Sequence, residues 1–181
     1  MILSDETIRK SSYIYPFKEE YLQPCSYDLH LDISIMRVDF SDYTEISAKT
    51  FKSYPNEIFK KSLISDDGYL LGPGEFILGT TVEKIFIPDN IAGRFEGKSS
   101  LGRIGLATHV TAGFIDPGFR GNITLEIKNE NSVAIRLFPK QPIGQICFYE
   151  VDRKVNRPYG SDGLGSHYQD QHSVARAAIR G

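Results

Sequence analysis

Apolar positions along this chain recur in short runs, not at helical spacing. Such runs occupy 27–35, 68–71, 75–81, 83–87, 92–96, 105–108, 121–128, 132–137 and 144–151, each of strand length. Gly72-Pro73-Gly74, Pro88-Asp89-Asn90, Asp116-Pro117-Gly118 and the Pro-containing stretch 139–142 separate them. Many short strands broken by turn residues predict an all-β sandwich or barrel. A doubly wound α/β fold needs a helix of roughly 10–15 residues between strands, and the spacing leaves no room for one. One short helix is expected at 4–10, with Ser4 capping the free amides, Asp5 and Glu6 in the first turn and Arg9 and Lys10 following. Residues 43–64 show no clean period and read as an irregular insertion or a strand with a short helix.

Beyond 155 the pattern changes. The stretch from Asn156 to His172 is polar and glycine-rich, with no apolar period. The chain therefore divides into a β domain at 1–155 and a C-terminal segment of the same domain at 156–181. That segment is either a frayed end or a glycine-hinged lid, and Tyr159, His167, Tyr168 and Gln171 supply the donors and aromatics a lid needs.

The 181 residues suffice for one domain with a real core. Twenty-one basic residues against 23 acidic give a net charge of −2, which offers no broad basic surface for DNA or RNA. A small anion remains possible, since a few cations focused in one cleft suffice. Cys25 and Cys147 suggest no disulfide framework and point to a reducing, cytoplasmic setting. The N-terminus has no signal-peptide core, and no run reaches the roughly 18 apolar residues of a membrane span.

Candidate chemistry is concentrated in 97–129. Lys98, Ser99, Ser100 and Arg103 form a cationic, hydroxyl-rich turn flanked by Gly97 and Gly102. It is either a solvated turn or an oxyanion cradle. It lacks the spacing of the phosphate loop of nucleotide hydrolases. Glu126 alternates with Ile123, Leu125 and Ile127 and shares parity with Thr124, so both face away from the apolar side. Glu126 is then either solvent-facing or a general base in a polar cleft. Asp116, ahead of Pro117-Gly118, is either turn chemistry or a site residue.

Taken together, Gly-Lys-Ser-Ser-Leu-Gly-Arg at 97–103, Ala-Gly-Phe-Ile-Asp-Pro-Gly-Phe-Arg-Gly at 112–121, Ile-Gly-Gln-Ile at 143–146 and the glycine-rich tail resemble motifs of the deoxyuridine-triphosphatase superfamily. Thr111-Ala112, Thr124-Leu125-Glu126 and Arg157-Pro158-Tyr159 resemble its dCTP deaminase branch more narrowly. The resemblance implies a homotrimer of distorted jelly-roll barrels whose active sites are shared between neighbouring subunits. It implies Glu126 as the base that activates water for attack on cytosine C4, helped by Ser99 and Arg103, with the Ala112 backbone reading the exocyclic amine. Lys98, Ser99, Ser100, Leu101, Gly102, Arg103, Gln145, Tyr159 and Gln171 are similar to triphosphate-binding positions. Asp116 is similar to the deoxyribose contact, with Phe119 beside it, and Gly113, Thr124, Leu125 and His167 complete the implied substrate site. Magnesium is implied on the phosphates, held by no protein side chain, and dTTP is a common feedback inhibitor of such relatives.

Gly113 bears on a second activity. Deaminase-only relatives carry a larger residue after the Thr-Ala pair, whereas those that also cleave the triphosphate to dUMP carry glycine. The alternative is that Gly113 merely satisfies a positive φ. His167 stands where relatives carry lysine, and a neutral imidazole is a weaker phosphate partner.

Three other readings compete. A zinc-dependent deaminase needs a Pro-Cys-x-x-Cys element, but Pro24-Cys25 has no second cysteine after it, and His30, His109, His167 and His172 lack ligand spacing. A plain deoxyuridine-triphosphatase is compatible with Gly113, Asp116 and Gln145 but less so with the Thr-Leu-Glu triplet. A non-catalytic relative is disfavoured by Ser99, Arg103, Asp116 and Glu126.

Overall fold

A computed structural model of the chain describes residues 1–47, 49 and 56–175. The ambiguous stretch 43–64 therefore falls partly outside the described residues, as do the last six residues of the tail.

Two antiparallel sheets close over a shared core. The first contains β1 (Ile14–Tyr15), β4 (Ser34–Val38), β5 (Phe59–Leu63), β7 (Phe76–Phe86), β9 (Leu106–Ala107) and β11 (Arg120–Asn129). Its order is β5-β4-β7-β11-β9, with β1 also on β7. The second contains β2 (Leu22–Gln23), β3 (Ser26–His30), β8 (Ile91–Gly97), β10 (Phe114–Ile115) and β13 (Pro142–Glu150), in the order β10-β8-β13-β3-β2. A small ribbon pairs β6 (Tyr69–Leu71) with β12 (Ile135–Leu137). Tyr27, Phe95, Phe148, Leu125 and Ile127 are fully buried between the sheets. The all-β expectation holds, as does the parity on β11: Ile123, Leu125 and Ile127 are buried while Thr124 and Glu126 are half-exposed.

Three local expectations differ. The run 27–35 is not one strand but two, because the chain crosses from the second sheet into the first at 31–33. There the amides of Leu31 and Asp32 reach the carbonyls of Gln141 and Thr80. Conversely, 75–81 and 83–87 belong to one strand, β7. Glu83, placed at the start of the second run, is 2% exposed. Its carboxylate accepts from the His30 amide at 2.9 Å and pairs with His30 Nδ1 at 2.8 Å, which satisfies the buried charge and lets the strand run on. Finally, the helix α1 (Asp5–Lys10) forms as expected, but Ser4 makes no side-chain cap; its Oγ lies 3.4 Å from Thr7 Oγ1 instead.

The tail is docked on the first sheet's side. The Tyr159 amide donates to Pro117 O at 2.7 Å, the Asp170 amide to Arg120 O at 2.8 Å, and Gln171 pairs in parallel with Gly121. Gly118 and Gly121, at φ 93° and 137°, admit it: a Cβ at Gly118 would stand 2.6 Å from Pro158, and one at Gly121 2.9 Å from Gln171 O. These contacts oppose the frayed-end alternative.

Candidate active site

The site is built on β11. Antiparallel register sets Glu126 opposite Leu78 and Thr124 opposite Thr80 on β7. Glu126 Oε2 accepts from the amides of Val110 and Thr111, at 2.9 and 3.0 Å. Those amides belong to the loop between β9 and β10. Its far end is tied to β8 by the Phe95 amide, which donates to Gly113 O at 2.7 Å, and its start by His109, edge-on to the Phe95 ring at 5.7 Å. Two amides on one oxygen fix the carboxylate's orientation and leave Oε1 for other partners.

In front of Glu126 lies a cavity of about 470 Å³. Ala112, Asp116, Phe119 and Thr124 line it from the barrel, and Tyr159, His167 and Gln171 from the tail. Eight of the expected residues, including Glu126, are thus brought together around one space. Asp116 is exposed at the turn, its carbonyl accepting from the Phe119 amide at 3.2 Å. The Phe119 ring is buried and packs on Tyr159 at 5.7 Å. Leu125 differs: its side chain is fully buried in the main core, so only its backbone is available.

The cationic turn is elsewhere. None of residues 98–103, nor Gln145, lines this cavity. They sit with the second sheet, where helix α2 (Ser99–Gly102) follows β8 directly. Lys98 Nζ lies 2.6 Å from Asp28 Oδ2, and Ser26 Oγ donates to Gln145 Oε1 at 2.7 Å. Ser99, Ser100, Gly102 and Arg103 are exposed, and among the described residues Arg103 has no ion-pair partner. On the same strand as Gln145, burial and then Glu96 raise the Cys147 thiol. The cationic turn and the Glu126 cavity are thus separate features of one chain.

Gly113 is buried and its φ is not positive, so conformational permissiveness does not explain it. A Cβ there would stand 2.8 Å from Phe95 O and 3.4 Å from His109 Cε1. Its smallness is required by the approach of β8 and the loop. His109, read from sequence as a satisfied strand residue or cleft wall, has a buried Nδ1 without a hydrogen-bond partner among the described residues.

Tyr168, expected in the lid, also lines the cavity, whereas sequence reasoning missed Leu78, Phe114, Ile115, Ile123, Gly165 and Ala175 as cavity walls. Phe114 and Ile115 lay within the quoted motif and could have been included. Leu78 could not, because only the β7–β11 register brings it beside Glu126.

Comparison with known proteins accords with this geometry. A family model described as dCTP deaminase-like matches residues 2–151. The chain is 45% identical over 177 residues to "dCTP deaminase, dUMP-forming" of Corynebacterium glutamicum (strain R), covering 94% of this chain and 92% of that protein. It is 42% identical to the protein of that name from Kocuria rhizophila, covering 94% and 91%. The crystal structure of 2'-deoxycytidine 5'-triphosphate deaminase from Agrobacterium tumefaciens shares the fold, with a TM-score of 0.66 at 22% identity, over 83% of this chain and 48% of that one. The chain belongs to the dCTP deaminase-like family.

Proposed function

We propose that this protein hydrolyses dCTP to dUMP, releasing ammonia from cytosine C4 and diphosphate from the triphosphate. The observation that carries the reading is the Glu126 carboxylate, oriented by two amides on the wall of a nucleoside-sized cavity, in a chain of this family.

Glu126 Oε1 takes a proton from water as the oxygen bonds to C4, and the C4–N3 π pair moves onto N3. The same carboxylate then returns that proton to the exocyclic nitrogen. The C4–N bond breaks with its pair leaving on ammonia, the N3 pair re-forms the ring bond to C4, and the C4 hydroxyl proton passes to N3 to give the C4 carbonyl of uracil. Ser99 and Arg103 stabilise the charge that develops at this centre and on the phosphates. Ala112 presents its backbone to the exocyclic amine, and Asp116 holds the deoxyribose, with Phe119 packed close enough to oppose a 2′-hydroxyl. Lys98, Ser100, Gln145, Tyr159, His167 and Gln171 hold the phosphates.

Because Lys98–Arg103 and Gln145 lie away from the Glu126 cavity, a complete site needs the cationic turn of a second copy. A closed ring meets that need with one heterologous interface repeated, and a homotrimer is the assembly we assign.

Magnesium fits as an ion carried by the triphosphate. It favours phosphate and water oxygens with one or two carboxylates, and the carboxylate beside the cationic turn is Asp28, whose Oδ1 is buried without a hydrogen-bond partner. When bound, it neutralises phosphate charge as diphosphate departs. The glycine at 113, read from the resemblance as the mark of relatives that also cleave the triphosphate, supports the second hydrolysis at the α-phosphate, although its missing Cβ faces Phe95 and His109 and it does not line the cavity.

Replacement of Glu126 by Gln tests the base. Ammonia release should fall by about a hundredfold or more, with nucleotide binding retained by calorimetry; undiminished ammonia release by that variant sinks the mechanism.

A further inference from the structure

A second, smaller apolar cluster lies outside the main core, and one of its three buried members is a tail residue. Val174 is 2% exposed and packs with Met36 on β4 and Leu78 on β7. Those two strand residues are register partners. Leu78 is in turn the cross-strand partner of Glu126 and a wall of the cavity. Val174 therefore docks beside the proposed base, not at a remote spot on the barrel.

The flanking residues span the cavity. Gln171 Nε2 donates to Asn122 O and, at 3.3 Å, to Thr124 Oγ1, and the Ala175 amide reaches the same Thr124 oxygen at 3.4 Å. Both residues line the cavity. Backbone bonds from the Asn122 amide to Gln171 O at 3.0 Å and from the Asp170 amide to Arg120 O at 2.8 Å hold the segment before Val174, and each such bond is worth only about 1 kcal/mol net. Beyond Gln171, Val174 is the buried apolar side chain among the described tail residues, and its burial is worth about 1.5–3 kcal/mol.

We infer that Val174 is the positioning residue that seats the tail across the Glu126 cavity, with Met36 and Leu78 as its socket. The inference rests on the reading of Glu126 as the base. Docking of Val174 sets the fraction of molecules in which Gln171 already stands over the substrate, so loss of the anchor lowers apparent affinity by that fraction. Bound substrate then closes the tail with its own binding energy, and turnover at saturation is nearly preserved.

The test uses the full chain with Val174→Ser, Val174→Ile and Met36→Ala. In Val174→Ser, amide exchange over 168–175, read without nucleotide, should quicken about tenfold while β7 and β11 amides keep their protection. The KM for dCTP should rise about tenfold with kcat within about twofold. Val174→Ile should restore both, and Met36→Ala should reproduce the serine variant in weaker form. A general loss of folded protein would instead lower kcat at constant KM, and that pattern overturns the inference. So does unchanged exchange over 168–175 in Val174→Ser. Failure of the unmodified protein to consume dCTP counts against the Glu126 reading, whereas the exchange result judges the anchor by itself.

Discussion

Two inactive variants should rescue one another. Arg103 lies in the exposed turn after β8, and Glu126 lines a cavity that the turn does not reach. If each working site takes the turn from one subunit and the base from its neighbour, Arg103→Ala and Glu126→Gln disable opposite halves of every site. Loss of a positioned cation costs about a hundredfold to a thousandfold in rate, and loss of the base a similar factor. Each homogeneous variant should therefore retain about a hundredth of normal activity or less. In a ring assembled from equal amounts of the two, a given site draws an intact turn half the time and an intact base half the time. About a quarter of normal activity should return, whatever the ring size. The assay is ammonia release from dCTP by co-expressed, differently tagged variants purified through both tags in turn; this selects mixed rings, and in a mixed homotrimer one site in three is intact, so recovery rises to about a third. Recovery no greater than the average of the separate variants, in rings shown to be mixed, would refute the shared site.

Other expectations concern the barrel. Gly144 faces the fully buried Phe95, whose ring a Cβ at 144 would overlap, so Gly144→Ala forces the β8–β13 pair apart. Overpacking of this kind costs about 1–3 kcal/mol and should lower Tm by roughly 3–10 °C, read by calorimetry; an unchanged Tm contradicts the packing. Burial raises the Tyr27 phenol to about 12, and burial with a hydrogen bond to Glu75 does the same for Tyr69. Both folded values lie above the ordinary value of 10.0, so the neutral phenols stabilise the fold fully below that pH. That contribution is lost as pH rises from about 10 towards 12. Phenolate absorbance should show these two tyrosines ionising late, together with unfolding, and early ionisation of all ten with the fold intact would oppose this.

Much of the barrel was legible because strand burial alternates and alternation is written in the residues. Ile123, Leu125 and Ile127 against Thr124 and Glu126 is the clearest case. Glu83 was not legible, because a buried carboxylate inside a strand depends on a histidine 53 residues away. Nor was the break at 31–33, since the chain leaves one sheet for the other without a glycine or proline to mark it. At the site, residues carried on one strand or turn were readable in sequence, Glu126, Thr124, Asp116 and Phe119 among them. What sequence does not encode locally is register and docking. Leu78 meets Glu126 only through the β7–β11 pairing, and Val174 meets Leu78 only because the tail folds back. The contiguous motif 97–129 also concealed that its first turn does not line the cavity its last strand lines.

One protein should carry dCTP through to dUMP. Purified protein incubated with dCTP and Mg²⁺, its nucleotides separated by chromatography, tests this directly. The account predicts dUMP, ammonia and diphosphate in equal amounts with no lasting dUTP; accumulation of dUTP, or untouched dCTP, would contradict it.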